Sequence, residues 1–193
     1  MDRQLRGRFV FFATNNVNKF NEAREILAEK KIAVGMLRIK SLEIQSESLK
    51  EIAEASVTEA FAKYRLPIVV EDAGLFVDAL NGFPGPYAAY VYKTIGNKGI
   101  LKLVQRVNNR RATFKSVVAY QSAELRSPMC FEGVAKGEII SKERETDSKM
   151  SFGFDPIFKP DSSDRTFSQM NIAEKCKVSH RAAAFLQFAE WYK

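Results

Sequence analysis

The sequence predicts a mixed α/β fold, in which helices flank a sheet that contains both short buried strands and long alternating ones. Apolar runs at residues 9–13 and 68–70 are aromatic or β-branched and bounded by polar residues, which is typical of buried strands. Apolar residues recur at helical spacing over residues 49–64. Residues 112–120 and 129–140 alternate between apolar and polar side chains, which indicates two long strands that could be antiparallel neighbours.

The first half of the chain predicts two strand–helix units. After the first strand, Asn18 is a suitable N-cap for a helix over residues 19–30, and a second strand is expected at 32–39. The helix over 49–64 should end before the proline that follows it, because the residue before a proline disfavours the helical conformation. The apolar run 68–70 then leads directly into two carboxylates.

The second half begins with a turn-dense segment at residues 81–86, which contains two glycines and two prolines. A helical stretch over 87–107 follows, interrupted at Gly96. Residues 143–151 are polar and predict a loop, and Ser179 begins a final helix through Tyr192. Helices therefore concentrate in the first half and at the end of the chain, around one mixed sheet.

The length of 193 residues suits one domain, undivided or in two lobes, that buries roughly 70% of the surface of the unfolded chain. Hydrophobic residues make up 46% of the chain, which is enough for an ordinary core. A boundary between lobes is conceivable at residues 85–110, but nothing there resembles a flexible linker. We therefore expect residues 1–193 to act as a single domain.

Charge and cysteine content restrict the setting in which the protein works. The 30 Lys and Arg against 23 Asp and Glu give a net charge of +7, which favours an anionic partner without distinguishing a nucleic acid from a nucleotide. Cys130 and Cys176 have no second cysteine or histidine at metal-ligand spacing, which indicates a reduced intracellular protein. The N-terminal apolar run is too short for a signal-peptide core, and no segment has the length of a membrane span. We expect a cytoplasmic protein with no membrane partner.

A polar loop between the first strand and the first helix suits a phosphate. Backbone N–H groups at a helix start, together with one mobile ammonium group, can bind an anion. The residues of this candidate phosphate loop are Thr14, Asn15, Asn16, Val17, Asn18 and Lys19.

Two carboxylates, Glu71 and Asp72, stand at the end of the apolar run 68–70. Carboxylates at the carboxyl end of a buried strand lie where open α/β sheets bind ligands, and hard oxygen ligands hold Mg²⁺. One of them could also polarise a water molecule for attack on phosphorus. An acidic turn that merely closes the strand is an equally weighted alternative. Among the nearby acids, Glu43 is the best candidate for a second metal ligand, ahead of Glu51.

The segment Phe152, Gly153, Phe154 and Asp155 places two aromatic rings beside an acid. A planar base can stack on such rings, and Asp155 could accept hydrogen bonds from ring N–H groups. The alternative is an aromatic strand end packed into the core, which accounts for the phenylalanines but not for Asp155.

His180 is the one histidine of the chain and lies beside Arg181, with Ser179 as a plausible N-cap and Lys175 nearby. A lone histidine is usually structural. Here the imidazole, the guanidinium and helix N–H groups could converge on one anionic or carbonyl group. No acid or cysteine completes a nucleophilic triad by spacing, so we interpret the segment as recognition rather than covalent catalysis.

Taken together, these segments resemble the inosine triphosphate pyrophosphatase family. The resemblance rests on five motifs that occur in the family's order and span nearly the whole chain, at residues 14–19, 71–75, 82–87, 152–158 and 179–181.

The resemblance implies a long mixed sheet in two lobes with the site in the cleft between them, in a homodimer. It implies Mg²⁺-dependent hydrolysis of ITP, dITP and XTP to the monophosphate and pyrophosphate. Residues 14–19 would hold the phosphates, with Ala73 also at the substrate, and Asp72 and Glu43 would hold the metal. Asp72 would also activate water. The family's base pocket corresponds to Phe152, Gly153, Phe154 and Asp155, and Lys175, His180 and Arg181 would read the base and the triphosphate.

The chain departs from the family pattern at several positions. Ala73 replaces a usual Ser or Thr, Ser56 replaces a frequent lysine of the second helix, and Ala89 replaces a residue that is often polar or basic. Ser151 replaces a common glycine. These departures concern turnover rate and phosphate affinity more than the class of reaction.

Two other functions remain open at this stage. A pyrophosphatase for other modified or standard nucleotides would use the same motifs, because one sequence does not show the width of the pocket. A nucleic-acid-binding module would account for the positive charge and the aromatic pair. It is less favoured, because Glu43, Glu71 and Asp72 would repel a phosphate backbone, so we expect a nucleotide substrate and no nucleic-acid partner.

Overall fold

A computed structural model describes residues 8–39, 44–144 and 152–193. In this part of the chain seven strands form one sheet: β1 (Arg8–Ala13), β2 (Ile32–Leu37), β3 (Ile68–Val77), β4 (Pro84–Gly85), β5 (Arg111–Gln121), β6 (Met129–Ile139) and β7 (Phe158–Pro160). The helices around it are α1 (Val17–Glu29), α2 (Leu49–Tyr64), α3 (Ala88–Thr94), α4 (Gly96–Leu103), α5 (Ile172–Lys175) and α6 (His180–Trp191). Short 3₁₀ helices lie at Asp78–Leu80 and Phe167–Gln169.

The sheet is mixed, as predicted. Its order is β2-β1-β3-β5-β6-β7, with β4 pairing β3 from the side. The strand pairs β1–β2 and β1–β3 are parallel, whereas β3–β5, β5–β6 and β6–β7 are antiparallel. The predicted long antiparallel neighbours are therefore β5 and β6, and the predicted fold class is confirmed.

Strand β3 is longer than the sequence predicts. The predicted strand covers 68–70, but β3 continues to Val77 because its whole length pairs with β5, from Ile68 opposite Gln121 to Val77 opposite Ala112. Only Ile68 and Val69 also pair with β1. Glu71 and Asp72 therefore do not follow the end of a strand. They lie inside β3, just beyond the point where its parallel neighbour stops.

Helix boundaries follow the capping residues. The helix predicted at 49–64 is α2, and Ser48 caps it by accepting a hydrogen bond from Glu51 N. Helix α1 begins at Val17, two residues earlier than predicted, because Asn16 rather than Asn18 is the N-cap. Three asparagines in this loop can each cap a helix, so residue type alone does not select one. The stretch predicted at 87–107 is interrupted at Gly96 as expected and divides into α3 and α4.

The core consists of three buried clusters. On one face of the sheet α1 and α6 pack against residues such as Val69 and Val118. On the other face α2 packs against Ile68, Val70 and Val117, the neighbours that alternate with them. The third cluster surrounds the far ends of β3, β5 and β6 and includes α3, α4 and the segment 154–170. This third cluster corresponds to the expected second lobe.

The start of α6 lies very close to β6. A Cβ atom added to Gly133 would lie within 2.0 Å of the carbonyl oxygen of His180, so only glycine permits this approach. The close packing fixes the position of His180 and Arg181 relative to the sheet. None of the helices in the described ranges has the length and apolar character needed to cross a membrane.

Candidate active site

The candidate phosphate loop is held in a defined shape by its own side chains. Thr14 N donates to the carbonyl of Leu37, and the side-chain amide of Asn15 donates to the carbonyl of Ile39 at 2.7 Å. Asn16 Oδ1 accepts hydrogen bonds from the backbone N–H groups of Asn18 and Lys19 at 3.0 and 3.1 Å. Two of the backbone N–H groups that were expected to bind an anion are therefore already hydrogen-bonded. Anion binding at this loop then depends more on side chains.

Side-chain alternation along β3 sends its two acids to different faces of the sheet. Glu71 lies on the same face as Val69 and points toward α1 and α6, where its partners are. Asp72 lies on the face of Val70 and α2, where it borders a cleft that is described below. The two neighbouring carboxylates therefore have different environments and different chemistry.

The carboxylate of Glu71 is fully buried and bridges two cations. Its Oε2 is 2.8 Å from the ammonium of Lys19, and its Oε1 is 3.2 Å from Nε of Arg181. Ser116 donates its hydroxyl to Oε1 at 2.6 Å. The charges of Arg181 and Lys19 outweigh the cost of burial and hold the pKa of Glu71 well below its usual range. Glu71 is therefore ionised and links the phosphate loop to α6.

The ion pairs continue from Arg181 to the aromatic segment. Arg181 donates to Glu22 at 2.7 Å, Lys175 donates to the other oxygen of Glu22 at 2.9 Å, and Lys175 also donates to Asp155 at 2.7 Å. Every side chain in this part is at least 95% buried. Burial and the carboxylate of Glu22 raise the pKa of Asp155, against the opposing effect of Lys175.

Together these six residues form one buried ion-pair chain: Lys19, Glu71, Arg181, Glu22, Lys175 and Asp155. Acids and bases alternate along it, so three positive and three negative charges balance. Buried charges are tolerated only with such pairing. The chain connects the phosphate loop at one end with the candidate base pocket at the other.

In the candidate base pocket only one of the two phenylalanines is placed beside the cations. The ring of Phe152 lies 4.9 Å from the ammonium of Lys175 and 5.4 Å from the guanidinium carbon of Arg181. Its backbone N–H donates to Asp155 at 3.2 Å. Phe154 instead packs into the core with its ring edge against Tyr92. The core-packing alternative therefore describes Phe154, and Phe152 is the available stacking surface. Between the two rings, Gly153 has a φ of +61°.

His180 is held in an aromatic stack. Its ring lies parallel to that of Phe114 at 4.6 Å between centroids, and Phe167 lies beside both rings, 6.2 Å from His180 and 5.9 Å from Phe114. Burial, reinforced by Arg181, lowers its pKa well below the usual 6.5, so the imidazole is neutral. Neither ring nitrogen has a hydrogen-bond partner among the described residues. Two unpaired nitrogens in a buried site leave capacity for a ligand.

A cleft of about 1060 Å³ opens beside the phosphate loop. Its walls come from the β1–α1 loop, α2, the middle of β3 and α3. Of the predicted site residues, those that line it are Thr14, Asn15, Asn16, Val17, Lys19 and Asp72. Those not on its lining, among the described residues, are Asn18, Ala73, Phe152, Gly153, Phe154, Asp155, Lys175, His180 and Arg181. The residues that line the cleft and those that do not are connected by the ion-pair chain rather than by one continuous cavity wall.

Oxygen donors suitable for a divalent cation are present in the cleft. Asp72 lines it from β3, and Glu59 lines it from α2. Glu43, the second predicted metal ligand, lies outside the described residues. Within the described ranges no group of three potential metal ligands is assembled. The donor chemistry at Asp72 thus fits a hard cation, and the described residues alone do not complete a site.

Sequence reasoning missed Glu22 and the role of Glu71. Glu22 lies on the buried face of α1 next to Ala23 and one turn before Ile26. An acid inside the apolar stripe of a helix is a detectable signal, because burying a charge requires a partner. The partners of Glu22 come from residues more than 150 positions away, and no sequence pattern identifies them.

A model of the Ham1 family matches residues 10–191. The chain belongs to the Ham1 family. This match confirms the resemblance inferred from the five sequence motifs. The matched residues include the whole ion-pair chain from Lys19 to Asp155.

Ham1-family relatives match this chain over nearly its full length. The dITP/XTP pyrophosphatase of Methanopyrus kandleri is 48% identical over 95% of this chain and 96% of the relative. The dITP/XTP pyrophosphatase of Thermococcus kodakarensis is 45% identical over 94% of this chain and 96% of the relative. Among solved structures, the HAM1 protein from Coxiella burnetii superposes with a TM-score of 0.82 at 26% identity, covering 95% of this chain and 98% of that one. The Ham1 protein of Staphylococcus aureus superposes with a TM-score of 0.80 at 25% identity, covering 95% of this chain and 97% of that one.

The neutral state of His180 predicts a pH dependence of stability. In the unfolded chain His180 takes up a proton near pH 6.5, whereas its lowered pKa keeps it neutral in the folded protein. The free energy of unfolding should therefore fall as the pH drops below this value, with a slope that approaches about 1.4 kcal/mol per pH unit. Urea unfolding from about pH 8 to about pH 5.5, before most carboxylates titrate, measures this slope.

The comparison protein for this measurement is His180→Gln. Because His180 is the one histidine, the variant should lack the slope whatever its stability at neutral pH. Parallel curves for the two proteins would contradict a buried neutral imidazole.

Proposed function

We propose that this Ham1-family protein hydrolyses deaminated purine nucleoside triphosphates, namely ITP, dITP and XTP, to the nucleoside monophosphate and pyrophosphate. Removing them would keep these compounds out of the nucleotide pool. One structural observation above all supports this proposal: the ion-pair chain connects a lysine of a polar loop, which suits phosphates, to an aromatic and cationic pocket, which suits a 6-oxo purine. The names of the two relatives point to the same class of substrate.

The phosphate groups would lie in the cleft beside residues 14–19. Lys19 supplies a positive charge there, and its side chain remains about 20% exposed while it pairs with Glu71. Thr14 and Asn15 present polar side chains, and Asn16, Val17 and Asn18 form the start of α1. Ala73, next to Asp72 on β3, completes the proposed substrate contacts without offering a hydroxyl group.

Asp72 is the proposed catalytic residue. Both Asp72 and Glu71 border the cleft, but strand alternation directs their carboxylates to opposite faces of the sheet, and Asp72 lies outside the six-residue ion-pair chain. In the cleft Asp72 can accept the proton of a water molecule that attacks phosphorus, while pyrophosphate leaves with the cleaved anhydride oxygen. Asp72 and Glu43 would hold Mg²⁺, which when bound neutralises part of the phosphate charge.

The base would stack on Phe152, and Lys175, His180, Arg181 and Asp155 would read its edge. Arg181 has five N–H donors, of which its two ion pairs use a part, so it can still donate to a 6-oxo group. A 6-amino group in that place would leave a buried donor unpaired, at a cost of about 1–3 kcal/mol. That cost corresponds to tenfold or greater discrimination against adenine. Excluding the 2-amino group of guanine depends on pocket width.

The proposed setting is a cytoplasmic homodimer of single-domain subunits that acts without a nucleic-acid or membrane partner. Support for a dimer comes from exposed aromatic side chains near α3, at Phe83, Tyr87 and Tyr90. The acids of the cleft, Asp72 and Glu59, are unfavourable for a nucleic-acid backbone.

A substrate panel tests this function directly. With Mg²⁺ present, the purified protein should release pyrophosphate from ITP, dITP and XTP at least tenfold faster than from ATP, because of the unpaired-donor cost. Release from GTP should also be slower, because the pocket must exclude its 2-amino group. Chromatographic identification of the monophosphate and pyrophosphate measures it. Release of orthophosphate would contradict the proposed reaction, and equal rates on standard nucleotides would favour the broader pyrophosphatase.

The role of Asp72 predicts a loss of turnover without loss of structure. Asp72→Asn keeps the size of the side chain but removes the proton acceptor, so kcat should fall by about 10²–10⁴-fold. The matched control is Asp78→Asn, which changes an exposed acid that follows β3 and does not line the cleft. Activity within about twofold of wild type in Asp72→Asn would exclude the assigned role.

A further inference from the structure

We propose that Lys93 of α3 is a second phosphate-binding residue of the cleft, acting on the leaving pyrophosphate portion of the substrate. This inference rests on the proposed function and adds a residue that the sequence motifs do not include. Lys93 lines the same cleft as Lys19 and Asp72, but from a different wall.

The charge balance of the cleft favours a second lysine beside the phosphates. The charged residues on its lining are two lysines, Lys19 and Lys93, and three acids, Glu59, Glu71 and Asp72. Lys19 is already paired with Glu71 at 2.8 Å. A triphosphate brings several more negative charges into this space. Since Lys19 is engaged by Glu71, Lys93 is the other positive charge that the described lining offers to these phosphates.

Lys93 lines the cleft without forming a close ion pair with a described residue. None of the ion pairs between described residues involves it. Ala89, which also lines the cleft, lies one turn earlier on the same face of α3. Lys93 is exposed, so its ammonium group can move toward a bound phosphate.

Helix α3 is positioned firmly enough to hold Lys93 at this wall. Val91 is buried in the third core cluster, and Tyr92 packs edge-on against Phe154 at 5.5 Å. Just before the helix, β4 pairs with β3 next to the segment that carries Glu71 and Asp72. Lys93 thus moves as a flexible side chain on a fixed backbone, which suits a point charge for phosphate.

A purely structural role makes a different prediction. Lys93 lies in the last turn of α3, where a positive charge offsets the helix dipole. In that case its removal would lower stability and leave phosphate binding unchanged. Thermal unfolding and ligand affinity, measured on the same proteins, separate the two roles.

The experiment compares wild type with Lys93→Gln, Lys93→Arg and the matched control Lys98→Gln. Lys98 is an exposed lysine of α4 that does not line the cleft. Titration calorimetry would give the affinity of each protein for pyrophosphate and, separately, for inosine monophosphate, and initial rates would give KM and kcat for dITP.

Lys93→Gln should weaken pyrophosphate binding and raise KM by about five- to tenfold, because one cation at contact distance is lost. The effect should shrink at high salt. Inosine monophosphate binding should stay within about twofold, Lys93→Arg should retain the affinity, and Lys98→Gln should match wild type.

Four results would overturn the proposal: unchanged pyrophosphate affinity in Lys93→Gln, an equal loss in Lys98→Gln, an equal loss for inosine monophosphate, or no retention by Lys93→Arg. Failure of the proposed function is distinguishable from these results. If wild type does not hydrolyse dITP but binds pyrophosphate through Lys93, the reaction is wrong and the phosphate site stands.

Discussion

The buried carboxylate of Glu71 holds the site together, because its two oxygens bind cations that come from opposite ends of the chain. Lys19 reaches it from the first helix and Arg181 from the last. A carboxylate without solvent contact requires such compensation, since an unpaired buried charge is far more costly than the pair is stabilising. Ser116 supplies the remaining donor from β5. Three separate elements are thereby fixed against one strand.

The same constraint organises the second half of the ion-pair chain. Glu22 accepts from Arg181 and Lys175, so α1 binds the two segments that carry the proposed base-reading groups. Lys175 in turn holds Asp155 and lies over the ring of Phe152. A substrate that draws Lys19 or Arg181 toward itself must alter ion pairs along this chain. The proposed base and phosphate sites are therefore connected through charge balance rather than through a shared cavity wall.

Local signals in the sequence predicted much of the fold. Apolar spacing over residues 49–64 and the proline that follows them predicted α2, and the alternation in β5 and β6 identified an antiparallel pair. The predicted length of β3 was too short, because pairing with β5 over its full length outweighs the local preference of Glu71 and Asp72 for a turn. At the site, residue types indicated the phosphate loop, the aromatic segment and His180. The partners of Glu22 and the position of Lys93 depend on contacts between distant segments, which no local pattern contains.

The most direct test of the central claim is a double-mutant cycle on the two groups that meet only through Glu71. Lys19→Gln removes the partner of one oxygen and Ser116→Ala the donor to the other. The free energy of unfolding from urea titrations would be measured for both single variants and the double variant. If Glu71 is the shared anchor, the loss in the double variant differs from the sum of the single losses by about 1 kcal/mol, and this difference disappears when Glu71→Gln is present in all proteins. Losses that add within about 0.3 kcal/mol, with or without the Glu71 carboxylate, would contradict it.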